Sequence, residues 1–438
     1  MLPEISRREF TKLGMAGVLG GATAPWFTAF AQENAKNPKR QKSCILLWLS
    51  GGPATIDMWD LKPGHENGGP FKELSTDVPG LKLGEPLQKL SKFGKDLAIV
   101  RGMSTREGDH GRATYYLRTG YVQQGALQYP TLGSLFAKEL GDPASEMPSF
   151  VSISPFRQLN NAAFTSGYLG PMFAPLIVGE GSFGPPPSGS MVDELLKVQD
   201  LDRPKDIEES QATGRFDLLK DLQNQFGSDR PNLVVQSQHL AYQRAVKLMK
   251  SVGAKAFDLT TEKDKTRDDY GRNLFGQGCL LARRLVERGV PFIEVNLGGW
   301  DTHQNNFDQV KNLAGILDSG WASLMADLRE RGLLESTTIL CMGEFGRTPK
   351  INGGRGRDHF PNAWSAVLAG GGIKGGQAYG KTSADGTTVE EGKTDVPDLL
   401  STLALALGID YNKNNASNVG RPVRVVDKVA KPIQSLIG

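Results

Sequence analysis

Five histidines are the whole imidazole supply of this 438-residue chain: His65, His110, His239, His303 and His359. Two of them stand beside acids in glycine-rich segments. Residues 298–307 read GGWDTHQNNF, with Asp301 and His303 two apart. A carboxylate oxygen and an imidazole nitrogen so spaced can face one ion, and they suit Zn²⁺, Mn²⁺ or Fe. Residues 353–361 read GGRGRDHFP and pair Asp358 with His359. Residues 343–349, GEFGRTP, set Glu344 between glycines, where backbone can approach a ligand, and add Arg347, able to clamp an oxyanion bidentately. Each segment alone also reads as a helix cap, a solvated loop or a Glu–Arg pair in a tight turn. Three in succession, holding two of the five histidines, point to a metal or anion site.

A fourth cluster, REGDHGR at 106–112, opens a helical pattern. A helix N-terminus seats an anion or an activated nucleophile. His110, Thr105 and Ser104 are candidates there for covalent or acid–base work, and Arg112 joins Arg347 as an anion holder. The plainer alternative makes Asp109 the N-cap and His110 an exposed first-turn residue. His239 reads as a structural helix residue, and His65 as part of a Gly/Pro-rich turn.

These residues need a scaffold that brings distant segments together. Short apolar runs ending in glycine or polar residues predict buried strands at 44–49, 97–100, 148–153, 291–297, 337–342 and 363–368. Between them, apolar residues at helical spacing predict helices at 112–118, 131–140, 206–226, 233–250, 270–287, 306–331 and 396–407. The alternation argues for an α/β fold: a mostly parallel central sheet with helices on both faces. Ligands bind outside the carboxyl ends of such strands, so the loops after Leu49, Leu297, Met342 and Leu368 are the ones expected to work. Residues 155–189 read as a long surface excursion and 205–265 as a polar helical insertion, giving a cap at about 155–270 on one domain spanning 32–438.

Composition narrows the function. Hydrophobic residues make up 39% and charged residues 23%, enough for a large core. Lys+Arg 51 against Asp+Glu 48 leaves +3, with no basic run, which argues against nucleic acid as a partner. Three scattered cysteines exclude a disulfide framework or a CxxC zinc site. Gly179, Gly181 and Gly184 spell GxGxxG, but prolines follow instead of a helix, so no dinucleotide site is expected. At the N-terminus, SRREFTK, a glycine-broken apolar stretch and Ala29-Phe30-Ala31 match a twin-arginine signal peptide over 1–31. The expectations that follow are the export machinery as a partner, a periplasmic or secreted location, and no membrane span after processing.

The order of motifs resembles the alkaline phosphatase/sulfatase superfamily, and more closely the exported bacterial proteins called domain of unknown function 1501. The residues that carry the likeness are LSGGPATIDMWDLKPG at 49–64, EGDHGRATYYLRTGY at 107–121, GGWDTHQNNF, GEFGRTP, and GRDHFPNAWSAVLAGGGIKGG at 356–376. The resemblance implies an alkaline phosphatase-like fold and a divalent metal ion, Zn, Mn, Ca or Mg. It places Asp301 and His303 on one metal, Glu344 at the acid of an Asp-His-Gly turn, and His359 at the last metal histidine. Asp358 accompanies them. The acid expected after the first strand is replaced by Ser50 or Gly51, leaving Asp57 or Asp60 as substitutes. His110 falls near the nucleophile position, and Phe345 where a second-metal ligand is usual. One metal with an unusual nucleophile or an activated water fits these residues. The implied activity is hydrolysis of sulfate or phosphate esters of a small molecule or saccharide. The alternative is a non-catalytic binding or surface-assembly protein on the same fold.

Overall fold

The structure, a computed structural model, describes residues 42–229 and 233–438; the twin-arginine motif and the Ala29–Ala31 site lie outside them. Eight strands form the central sheet: β1 Ser43–Leu49, β2 Leu97–Met103, β3 Phe150–Ile153, β4 Leu176–Val178, β5 Phe292–Leu297, β6 Thr337–Met342, β7 Trp364–Gly370 and β8 Gln377–Tyr379. They lie in the order β8-β2-β7-β6-β1-β5-β3-β4. Every pairing is parallel except those of β7, which runs antiparallel to both β2 and β6.

Apart from the three-residue edge strands β4 and β8, the strands are buried on both faces, as the apolar runs required. On β1, Ile45, Leu47 and Leu49 join one core, and Cys44, Leu46 and Trp48 the other. The first core is closed by α5 (Leu274–Glu287) and α6 (Asn306–Glu330). The second is closed by α1 (His110–Thr119), α2 (Leu132–Leu140) and α7 (Val396–Ala406). Such alternation is the period of two of a strand sandwiched between helix layers. Helices α3 (Glu209–Asp229) and α4 (Leu233–Met249) make up most of the expected insertion. Among the described residues no helix is long and apolar enough to cross a membrane.

Three sequence expectations are corrected. The excursion at 155–189 is not all loop: its Leu176–Val178 pairs parallel with β3 and forms the sheet's edge. A three-residue strand is too short to show a period. The helix expected at 270–287 starts at Leu274, because Gly271 ends a separate helix, Asp264–Tyr270, and Asn273 caps α5. The loop after Leu368 does not join the working edge. Because β7 is reversed, its first residue, Trp364, pairs with Met103 at the end of β2, and its last, Gly370, with Thr338 near the start of β6. The segment before β7 therefore faces the carboxyl ends of the other strands, and that segment carries Asp358 and His359.

Candidate metal centre

Five connections meet at the carboxyl edge of the sheet: Ser50–Gly52 after β1, the start of α1, the Gly298–His303 turn after β5, Gly343–Arg347 after β6, and Gly356–His359 before β7. Each is fixed by backbone packing. Gly51 has φ +112°, and a Cβ there would sit 2.5 Å from the Asp301 nitrogen, so only glycine lets the two turns touch. Gly356 is pressed on the His303 carbonyl oxygen, which would lie 1.8 Å from a Cβ. A two-residue ribbon pairs His359 with Arg347. Below them, Arg118 on α1 and Glu294 on β5, both buried, form a bidentate ion pair, with 2.8 Å between Arg118 Nη1 and Glu294 Oε1. It ties the helix that starts with His110 to the strand that leads to Asp301.

Three imidazoles surround one carboxylate oxygen. Asp301 Oδ1 lies 3.1 Å from His303 Nε2, 3.4 Å from His359 Nε2 and 3.4 Å from His110 Nε2. His303 Nε2 and His359 Nε2 are 3.0 Å apart. The other nitrogen of each ring meets a group that can only accept. His110 Nδ1 is 2.7 Å from Glu344 Oε1, His303 Nδ1 is 2.8 Å from Asp358 Oδ1, and His359 Nδ1 is 2.8 Å from the Gly108 carbonyl. A carboxylate or carbonyl acceptor requires a proton on Nδ1, so each neutral ring turns its Nε2 lone pair inward.

The group fits a cation. Ligand atoms about 2.1 Å from a shared tetrahedral ion lie about 3.4 Å from one another, close to the separations here. Imidazoles that ligate metals donate their second N–H to a carboxylate or backbone carbonyl, as all three do. His110, Asp301 and His359 have ligand atoms within 4.8 Å of one another. His110 Nε2 is buried without a hydrogen-bond partner. With the three rings neutral, as ligation requires, the carboxylates of Asp301, Glu344 and Asp358 exceed the Arg347 guanidinium by two negative charges, which a divalent ion would balance.

The electrostatics agree. Burial works to lower His110, yet its contacts with Asp301 and Glu344 win and push it up to about 9. Partial burial works to raise Asp301, but contacts with His110, His359 and Arg347 hold it far below the usual carboxylate range. Its contact with His303 lowers Asp358. Phe345 and Phe183 flank His110, with ring centroids at 5.0 and 5.3 Å.

Not every residue singled out in the sequence joins this group. Arg347 is buried and fully engaged: its guanidinium bonds Asp301 and the carbonyls of Gly51, Gly52 and Arg357. It braces Asp301 and offers no free fork. Arg112 is two-thirds exposed and pairs with Glu107 at 2.8 Å. Asp57 is buried, and its oxygens are taken by Arg357 at 2.7 and 2.9 Å and by Asn306 at 2.8 Å. Thr105 bonds through its backbone to Pro361, and its buried hydroxyl has no partner. Asp109 is the N-cap of α1, with His110 mostly buried behind it. The Gly108 carbonyl escaped sequence reasoning, since a backbone oxygen leaves no mark of its own there. So did Asn352, which bonds the His303 carbonyl and Asp358.

The molecule is thus an α/β protein whose sheet edge gathers three imidazoles and an aspartate. The chain belongs to the family described as protein of unknown function (DUF1501), matched over residues 41–437. No curated protein matches it. Solved structures it is similar to include the lipoteichoic acid synthase LtaP from Listeria monocytogenes, at 8% identity, 92% of this chain, 81% of that one and TM-score 0.42. A protein in the alkaline phosphatase superfamily from Vibrio parahaemolyticus matches at 12%, 89%, 76% and 0.37. The sulfatase PsFucS1 from Pseudoalteromonas sp. matches at 12%, 88%, 71% and 0.36.

Proposed function

We propose that this chain is a hydrolase of sulfate or phosphate esters that depends on one divalent metal ion, held by Asp301, His303, His359 and His110. The observation that carries the reading is the convergence of three Nε2 lone pairs on one Asp301 oxygen while every Nδ1 is anchored. A divalent ion in such a site polarises an ester oxygen and makes a water molecule more acidic. The protein's own groups do the rest. Arg347 holds Asp301 in place from a buried position, Glu344, Asp358 and the Gly108 carbonyl orient the three rings, and Phe345 and Phe183 shield His110 from solvent.

The motif order supports an ester of a small molecule or saccharide as substrate, and the N-terminal sequence supports twin-arginine export to the periplasm or beyond. Residues 155–270 form a cap on a single α/β domain in this reading. A second reading, a metal-bearing binding protein without turnover, has one observation in its favour. None of the three cysteines can serve as nucleophile, since all are buried in the cores, and the buried Thr105 hydroxyl has no hydrogen-bond partner to activate it. Metal analysis of the purified protein, then aryl sulfate and aryl phosphate assays of wild type and His303→Ala, decides between them. Stoichiometric metal with turnover lost in the variant supports the hydrolase, and bound metal with no turnover supports the binding protein. A metal-free wild type that binds no added divalent ion refutes both.

A further inference from the structure

We infer that Glu344 is not a ligand of the metal but the positioning carboxylate of His110, and that it makes His110 a ligand instead of a nucleophile. The inference rests on the metal reading above and assigns roles within it. Glu344 is fully buried between Gly343 and Phe345. Its Oε1 is shared by two donors, His110 Nδ1 at 2.7 Å and the Gly51 nitrogen at 2.9 Å. That oxygen is spoken for, and the ring it holds presents Nε2, buried and unpartnered, 3.4 Å from Asp301 Oδ1. His110, Asp301 and His359 have ligand atoms that all lie within 4.8 Å of one another, and His303 adjoins them through Asp301 and His359, whereas Glu344 meets His110 on the opposite, Nδ1 side of the ring.

The logic is that of one proton on a two-nitrogen ring. If Nδ1 carries the hydrogen, Nε2 has a lone pair to give to a cation; with the hydrogen on Nε2, the ring could only donate to Asp301. A buried carboxylate on Nδ1 selects the first state and strengthens the Nε2 donor. It also leaves a second oxygen, Oε2, buried with no partner. An unpartnered carboxylate oxygen is costly in a dry interior unless positive charge lies nearby. An ion on the far side of the same imidazole would add to the positive charge that the Arg347 guanidinium already brings near Glu344. The Glu344–His110 pair also gives α1 a role in the centre, since His110 is its first residue.

The test is the affinity of the full-length protein for Zn²⁺, measured by chelator competition, together with the visible spectrum of the Co²⁺-loaded protein. Glu344→Ala should weaken Zn²⁺ binding 10- to 100-fold. His110→Ala should weaken it at least as much, and the double variant should bind no more than about twofold weaker than His110→Ala alone, because Glu344 acts only through the ring. Glu344→Gln keeps an acceptor oxygen for both donors, so it should retain the Co²⁺ spectrum of the wild type, whereas His110→Ala should change it. Should Glu344→Ala fail to fold, the Glu344→Gln and His110→Ala spectra carry the test. Wild-type affinity in Glu344→Ala, losses that multiply in the double variant, or a Co²⁺ spectrum altered by Glu344→Gln would each overturn the assignment. Absence of Zn²⁺ binding by the wild type would instead overturn the metal reading, and the two failures are told apart by which protein shows them.

Discussion

The proton on His110 and a divalent ion compete for the same nitrogen, so metal affinity must depend on pH in a definite direction. His110 is pushed up to about 9, above its ordinary 6.5. In the metal-free protein near pH 7 the ring is therefore charged, and about one molecule in a hundred has a free Nε2. Binding releases that proton. Apparent affinity for Zn²⁺ or Mn²⁺ should rise about tenfold per pH unit from 7 toward 9, about 100-fold in all, or about 2.7 kcal/mol at 1.36 kcal/mol per unit. Above 9 it should level off.

The same shift acts on folding with the opposite sign. A group whose pKa is raised on folding stabilises the folded state fully below its unfolded value, and that contribution is lost as pH climbs through the folded one. With chelator present, the contribution of His110 should be complete below about 6.5 and lost by about 9, with an upper bound of about 3 kcal/mol. With metal in excess, the trend should reverse, because tighter binding at higher pH adds stability. The assay is urea unfolding at pH 6.5, 7, 8 and 9, with chelator and with Zn²⁺, alongside chelator-competition titrations. Metal affinity that is flat between pH 7 and 9, or chelated protein that gains stability over that span, would refute the assignment of His110 to the centre.

Other perturbations separate scaffold from site. Asp57→Ala leaves the buried Arg357 guanidinium uncompensated and should cost about 3–5 kcal/mol in urea unfolding, while Asp57→Leu with Arg357→Met should recover much of it. Gly356→Ala forces a methyl onto the His303 carbonyl; Zn²⁺ affinity measured by calorimetry should fall at least about tenfold as the loop moves His303 off its position. Arg112→Ala removes an exposed side chain paired with Glu107, so any esterase kcat/KM should change by less than about twofold. The buried Arg347 guanidinium is spent on Asp301 and three backbone carbonyls and is not free to meet a substrate oxyanion, so singly charged aryl sulfates should exceed doubly charged aryl phosphates in kcat/KM by about tenfold or more, the worth of one charge-assisted hydrogen bond. The reverse ranking in parallel assays would count against the charge balance drawn for the centre.

The strands and helices were legible because burial on both faces writes itself as apolar runs and helical spacing. Both cores alternate along β1 as that pattern requires. The candidate residues were legible as types, since few histidines and loop acids leave few choices. What the sequence did not carry was direction. Nothing in AWSAVLAGG says that β7 runs backward, because parallel and antiparallel strands buried on both faces have the same composition. The segment before it was noticed for Asp358 and His359, but the fold needed the reversal to bring them to the working edge. The pairing of Asp57 with Arg357, 300 residues apart, was likewise invisible, as ion pairs between distant loops have no spacing rule.

Burial explains how the acids of this edge divide their labour. An acid that is wholly buried must be paired, and its partner then decides what it can do. Asp57 is paired with a guanidinium, which consumes both oxygens and leaves a strut. Glu344 is paired with an imidazole and a backbone amide through one oxygen, which turns its charge into the orientation of a ring. Asp301 is only partly buried. It meets one guanidinium and three imidazole nitrogens on a single oxygen, more positive or donor-hungry neighbours than one carboxylate oxygen can satisfy through protons alone. Two of those nitrogens, on His303 and His359, face each other at 3.0 Å, a separation that one shared proton or one shared cation can bridge. With both Nδ1 atoms set against acceptors, the crowding of three ring nitrogens on one carboxylate oxygen, more than any single residue type, is why the edge reads as a metal centre and not as an anion pocket.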